Sequence, residues 1–189
     1  MYRSLFFFIL FLSQAANAGR ADWDLPQLMQ SMAQVESSRA RFTEEKHLAI
    51  LSAPLTLSGT LAYSRPGFID KQVLAPYVER MTADREVLTI EKKGEKRSLA
   101  LQNYPIAWAF VESIRATLAG DLALLQRFYR IALEGGRQEW RLTLEPLDAQ
   151  MADYVQTIKI GGAENRIQSV EILETGGDRS VMAISGSEF

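Results

Sequence analysis

The 189-residue chain holds 21 Lys and Arg against 23 Asp and Glu, with one His and no Cys. No dense basic stripe exists, so nucleic-acid binding has no electrostatic support. The missing thiols exclude disulfides and cysteine chemistry, and a single histidine makes a zinc site a poor expectation.

The chain opens with "MYRS", one positive charge, then the apolar run "LFFFILFL" and the small-residue triplet "ANA" at Ala16–Ala18. Charged region, apolar core and cleavage triplet stand in the order of a secretory signal peptide. The run is too short to span a bilayer. Cleavage after Ala18 is expected, leaving 19–189 as a single exported domain with a net charge of −3 once Arg3 is removed. About 170 residues can bury a core without disulfides. Position 19 is Gly, so no cysteine is there to be acylated as an anchor, and the expected location is the periplasm.

Asp24 can cap a helix whose second residue is Pro26. Leu25, Leu28, Met29, Met32 and Val35 then recur at helical spacing, and the helix is expected to fade in "ESSR". From Ala40 the period changes to two. Phe42, Leu48 and Ile50 share a parity that Glu44 and Lys46 interrupt. Further strands are expected at Leu55–Arg65, Phe68–Leu74, Tyr77–Thr82, Glu86–Glu91 and Lys96–Leu101, punctuated by Pro54, Pro66, Pro76 and Gly94. Six short strands at regular spacing make an antiparallel meander. The mixed-sign stretch "EKKGEKR" reads as a solvated hairpin turn centred on Lys93-Gly94.

The pattern then turns helical. Ala107, Phe110, Val111, Ile114 and Leu118 form one stripe that Gly120 stops, and a short second helix is expected at Asp121–Gln126. Strands resume at Tyr129–Glu134 and Gln138–Glu145, joined by Gly135-Gly136. Three more follow at Tyr154–Ile160, Ile167–Glu174 and Arg179–Ser185, with turns at Gly161-Gly162 and Gly176-Gly177. About eleven strands enclose more space than side chains alone fill. Two amphipathic helices, each about 20 Å long at 1.5 Å per residue, are expected to lie on the inner face of this curved sheet.

One strand ends in an unusual way. In "TLSGTLAYSRPGF" the residues Leu57, Leu61 and Tyr63 share one parity, and the next residue of that parity is Arg65, followed by Pro66. On spacing alone Arg65 is equally a strand end reaching solvent and a charge set at the mouth of an apolar hollow.

The strand "ARFTEE" after the first helix, followed by "SGTLAYSRPG", resembles the periplasmic lipoprotein carriers of the LolA family. Phe42 stands at that family's aromatic position and Glu44 where Gln is common. Gly59, Leu61, Tyr63, Arg65 and Pro66 fit its Gly-x-Leu-x-hydrophobic-x-Arg-Pro motif in register, and the order of elements agrees over the mature chain. Two features depart from the pattern. Where the family has Phe-Arg-Trp this chain has Ile69-Asp70-Lys71, and the aromatic of a later hairpin is missing. The resemblance implies a mainly β fold with α: an incomplete, unclosed antiparallel β-barrel of about eleven strands under a helical lid. It implies a carrier that takes acyl chains of lipoproteins, or another lipid, from an inner-membrane donor complex to an outer-membrane acceptor. It further implies that Arg65 bonds to the lid backbone and holds the empty carrier closed. A guanidinium offers five donors and stays charged, which suits it to helix-end carbonyls that lack partners. Phe42, Leu57, Leu61, Tyr63, Arg65, Pro66, Ile69, Phe110, Val111, Ile114 and Leu118 are the expected cavity and lid residues. The departures mark a divergent member, whose cargo could be a different acylated or polyprenyl-like lipid.

Enzymatic readings find little footing. His47 lies on the parity opposite Phe42, and Glu44 and Glu45 are strand neighbours pointing to opposite faces. Asp148 and Asp153 read as caps. The expectation is therefore a monomeric, non-catalytic protein without cofactor or metal. Its rivals are a sensor or adaptor and a structural subunit of an envelope lipid-export system.

Overall fold

The computed structural model describes residues 23–188; the expected signal peptide, 1–18, lies outside them. Helix α1 (Leu25–Met32) starts at Asp24, whose carboxylate accepts from the Gln27 amide at 2.9 Å while Gln27 returns the bond to the Asp24 amide at 2.7 Å. This reciprocal box satisfies two donors that a bare helix start would leave open. Leu28 and Met32 are fully buried. The helix has eight residues and is about 12 Å long, not the 20 Å expected.

Six strands follow: β1 (Ser37–His47), β2 (Leu55–Ser64), β3 (Phe68–Ala75), β4 (Glu79–Asp84), β5 (Val87–Lys92) and β6 (Glu95–Ala100). A 3-10 turn leads into α2 (Pro105–Ala119) and α3 (Leu122–Phe128). Gly120 stops α2 in the left-handed region at φ 68°, and Asp121 caps α3 by accepting from the Leu124 amide. The second half is β7 (Tyr129–Gly136), β8 (Glu139–Pro146), the short α4 (Ala149–Ala152), β9 (Val155–Ala163), β10 (Arg166–Glu174) and β11 (Arg179–Glu188).

All eleven strands form one sheet in the order β6-β5-β4-β3-β2-β1-β11-β10-β9-β8-β7. Neighbours are antiparallel, and β1 pairs with both β2 and β11, so the two halves of the chain meet at the centre. The outer strands β6 and β7 do not pair, and the sheet stays open. Among the described residues no helix is long and apolar enough to cross a membrane.

Period-2 patterning sets the inner face. Phe42 pairs with Gly59, Glu44 with Leu57 and Lys71 with Leu61, which puts Glu44 and Lys71 on the same side as the core. Two expected turns are corrected. Gly135-Gly136 ends β7, and the turn is made by Arg137 and Gln138. Gly161-Gly162 lies inside β9, and the chain reverses at Glu164-Asn165. The reason at Gly162 is a close approach: a Cβ there would stand 2.5 Å from Cζ2 of the buried Trp140 and 2.2 Å from the Arg166 carbonyl oxygen. This glycine makes room for an indole and does not mark a bend. The α4 turn was not foreseen as a helix, although Asp148 does cap it by accepting from the Met151 amide at 3.0 Å.

Gly59 is the tightest point of the wall. A Cβ there would lie 1.8 Å from the Gln72 carbonyl oxygen, beside the register shift that sets Ser58 against Ala75 and Gly59 against Val73. The obstacle is backbone, so no rotamer change relieves it. Gly59→Ala should cost about 1–3 kcal/mol or more, as overpacked cores do, seen as a lowered urea midpoint. An unchanged midpoint would show that β2 and β3 are not this close.

Candidate functional site

Helix α2 lies across the concave face and covers two hollows that share Ile69, Lys71 and Phe110 in their walls. The smaller, of 80 Å³, lies beneath the stripe Phe110, Ile114 and Leu118 and is faced by Leu61, Tyr63 and Ile69 of the sheet. The larger is an open cleft of 570 Å³ beside Ile106, Ala107, Phe110 and Val111, with Met81 and Leu88 on the sheet side. Tyr104 and Tyr154, 44% and 47% exposed, stand at its edge. A cleft of this size is in the usual range for small-molecule sites, about 300–1,000 Å³.

Seven of the expected residues therefore line a hollow: Leu61, Tyr63, Ile69, Phe110, Val111, Ile114 and Leu118. Phe42 and Leu57 are buried in the wall without facing either space, and Pro66 is exposed in the turn after β2. Arg65 lines neither hollow and sits at the helix end.

Arg65 Nη2 donates to the Ala119 carbonyl oxygen, in the last residue of α2, at 3.0 Å. Its Nη1 lies 3.5 Å from Glu36 Oε1, and its own amide donates to the Glu36 carbonyl at 2.9 Å. No basic residue occupies the last turn of α2. The cation that suits the negative end of the helix dipole is thus supplied by the sheet. A second arginine runs the other way. Arg115 Nε, from α2, donates to the Gly67 carbonyl oxygen in the β2–β3 turn at 2.9 Å, and its guanidinium pairs with Glu112. Helix and wall are thus joined by two crossed arginine–carbonyl bonds. Arg115 sits on the helix stripe that faces the Pro66-Gly67 turn, but a lone arginine in a mid-helix position carries no motif, and sequence reading passed it over. Burial, with Glu86 adding to it, pushes the Glu112 carboxyl above the usual range against the pull of Arg115. Tyr63 Oη and Arg115 Nη2 are buried beside this clasp without protein partners among the described residues.

Charge also enters the hollow. Glu44 and Lys71 are 4% and 7% exposed and form an ion pair between β1 and β3. Ser180 Oγ donates to the other Glu44 oxygen at 2.6 Å, and Lys46 Nζ stands 3.8 Å away. Burial alone would raise the Glu44 carboxyl. The Lys71 and Lys46 ammoniums, with the hydrogen bonds from Lys71 and Ser180, outweigh it and hold the carboxyl below its usual range. Burial draws the Lys71 ammonium below the ordinary lysine range, with Glu44 opposing. The signal was visible as acidic and basic residues on the inward parity of β1 and β3, the two strands that flank β2. Their pairing needed the register.

If the two crossed bonds fix the helix, Arg65→Leu should speed amide exchange with deuterium across 106–118 by roughly tenfold or more, the loss of a charged hydrogen bond worth about 1.5–3 kcal/mol, while β2 stays protected. Equal exchange in variant and wild type would make Arg65 a strand end facing water.

Residues 15–188 match the family described as "Outer membrane lipoprotein carrier protein LolA-like". No curated protein matches the chain. Among solved structures, a LolA superfamily protein from Nitrosomonas europaea is similar at 11% identity and a TM-score of 0.48, over 86% of this chain and 91% of that one. A putative outer membrane lipoprotein-sorting protein domain from Vibrio parahaemolyticus is similar at 10% identity and a TM-score of 0.47, over 87% and 90%. The MucA/MucB complex of Pseudomonas aeruginosa contains a chain similar at 13% identity and a TM-score of 0.46, over 87% of this chain and 55% of that one.

Proposed function

The chain belongs to the outer membrane lipoprotein carrier protein LolA-like family, and from that premise we propose that it is a non-catalytic envelope carrier of acyl-chain lipid. In this reading the protein is exported to the periplasm, takes the acyl chains of a lipoprotein or another lipid between the concave sheet and α2, and moves them toward the outer membrane. The observation that carries it is the apolar cleft of 570 Å³ and the smaller hollow behind it, both roofed by one helix. A structural subunit has no use for such space.

The physical cycle follows from the roof. Burying a chain yields about 0.8 kcal/mol per CH₂, or roughly 10 kcal/mol for a long chain before ordering costs. The 80 Å³ hollow has little room while α2 is seated, so cargo entry has to lift the helix. Lifting breaks the Arg65–Ala119 and Arg115–Gly67 bonds. Those bonds exist only in the closed state, so they bias the equilibrium toward closure and toward release. Arg65 and Arg115 are the latch; Phe110, Ile114 and Leu118 are the surface that the chain displaces.

A fluorescent fatty acid should bind the mature protein in the micromolar range, about −8 kcal/mol, and unlabelled lipid should displace it. Native mass spectrometry of protein taken from the periplasm should show a lipid adduct. A folded protein that binds no acyl probe and carries no lipid would overturn carriage in favour of an adaptor or structural role.

A further inference from the structure

An ion pair is an odd fitting for a hollow meant for hydrocarbon. Apolar residues of similar volume stabilise a core as well as a buried pair does, so folding alone does not call for Glu44 and Lys71. The register of β1, β2 and β3 brings the two together on the inner face.

The two partners are unequally satisfied. Glu44 has Lys71 on one oxygen and Ser180 on the other, with Lys46 nearby. Lys71 has three N–H donors. One goes to Glu44, and no second protein acceptor is present among the described residues. The Phe42 ring lies 4.9 Å from Nζ and gives the ammonium a face without accepting a full hydrogen bond. Lys71 also lines both hollows, next to Ile69 and Phe110. Lys46 and Lys71 both attend the Glu44 carboxylate at the cleft wall, and Lys46 also attracts Glu174. Glu174 is the other acid that lines the cleft, and Glu79 of β4 also attracts the Lys71 ammonium. The Glu174 carboxyl is pushed up by burial and by Asp178.

We propose that the cleft takes an amphiphile with an anionic head, a carboxylate or a phosphate, and that Lys71 receives this head while the chain runs beneath Phe110 and Ile114. The assignment rests on the carriage reading and names the class of lipid within it. Glu44 holds the ammonium in place when the cleft is empty and is the group against which the arriving anion competes.

The competition gives two substitutions opposite signs. Glu44→Gln keeps the lysine and removes its competitor, which leaves the arriving anion as the partner that holds the ammonium charged. Glu44→Gln/Lys71→Met removes both charges together, so no buried ion is left alone. Displacement of a fluorescent fatty acid would be measured at pH 8 with palmitate, its uncharged methyl ester and hexadecyl phosphate, and with acetate and inorganic phosphate as anions without a chain. Circular dichroism would check that each variant is folded. In wild type, palmitate and hexadecyl phosphate should bind about tenfold tighter than methyl palmitate, the size expected of a charge-assisted bond. Glu44→Gln should widen that gap, and the double variant should close it by bringing the affinity for the two anions down toward that for the ester. Acetate and inorganic phosphate should displace nothing. Equal binding of acid and ester in wild type, or a parallel loss of both in the double variant, would overturn the head-group assignment and leave carriage standing. Displacement by free phosphate would overturn it in favour of a site for small anions. Failure of every chain-bearing compound to bind wild type would overturn carriage itself, and this assignment with it.

Discussion

The bond from Arg65 to the Ala119 carbonyl is where the helix meets the wall, and the rest of the structure depends on it. A helix ends with carbonyls that have no partner within the helix. Gly120 turns the chain so that its own amide and that of Asp121 serve Ala116 and Thr117. Ala119 is left over, and the guanidinium of Arg65 reaches it from the end of β2. The same turn that places Arg65 presents the Gly67 carbonyl to Arg115. Each element supplies the donor for the other's open acceptor. Such a contact is made only while the helix is seated and gives way to water when it lifts, which suits a cover with two positions.

An open sheet makes such a cover necessary. Eleven strands that curve without closing leave a concave face too wide for their own side chains to fill. Trp140, Leu142, Leu144, Ile158 and Ile160 fill the side formed by β8 and β9, and none is more than 1% exposed. Elsewhere α2 roofs the hollows, walled by β1–β3, where Glu44 and Lys71 stand, and by β10 and β11 through Ile167, Ile172 and Met182. Packing is therefore uneven: one side is solid core, and the other keeps space and charge.

The sequence was most legible where the physics is local. Asp24 and Pro26 start α1, Gly120 ends α2 and Asp121 starts α3, because caps depend only on near neighbours. Alternation in Leu57–Tyr63 placed β2 and its inner face. What failed depends on distant contacts. Gly161-Gly162 looks like a turn, yet β9 runs through it because Trp140, some twenty residues earlier, needs the space. Of the site, the apolar residues that line the hollows could be found by parity and helical spacing. Glu44 and Lys46 registered only as interruptions of an apolar stripe, and Lys71 only as a lost aromatic. Their significance is a cross-strand pairing through β2, which a single strand's pattern cannot show. Arg115 was missed for the same reason: its partner is a backbone carbonyl forty-eight residues away.

The central claim is that a hydrocarbon chain occupies the space between α2 and the sheet. It is tested most directly by methyl NMR of the mature protein titrated with stearate bearing a nitroxide on its chain. The account predicts selective broadening of the methyls of Ile69, Ile114 and Leu118, which face the smaller hollow. The exposed Val87 on β5 should stay sharp. Broadening confined to exposed methyls, or none at saturating stearate, would contradict it.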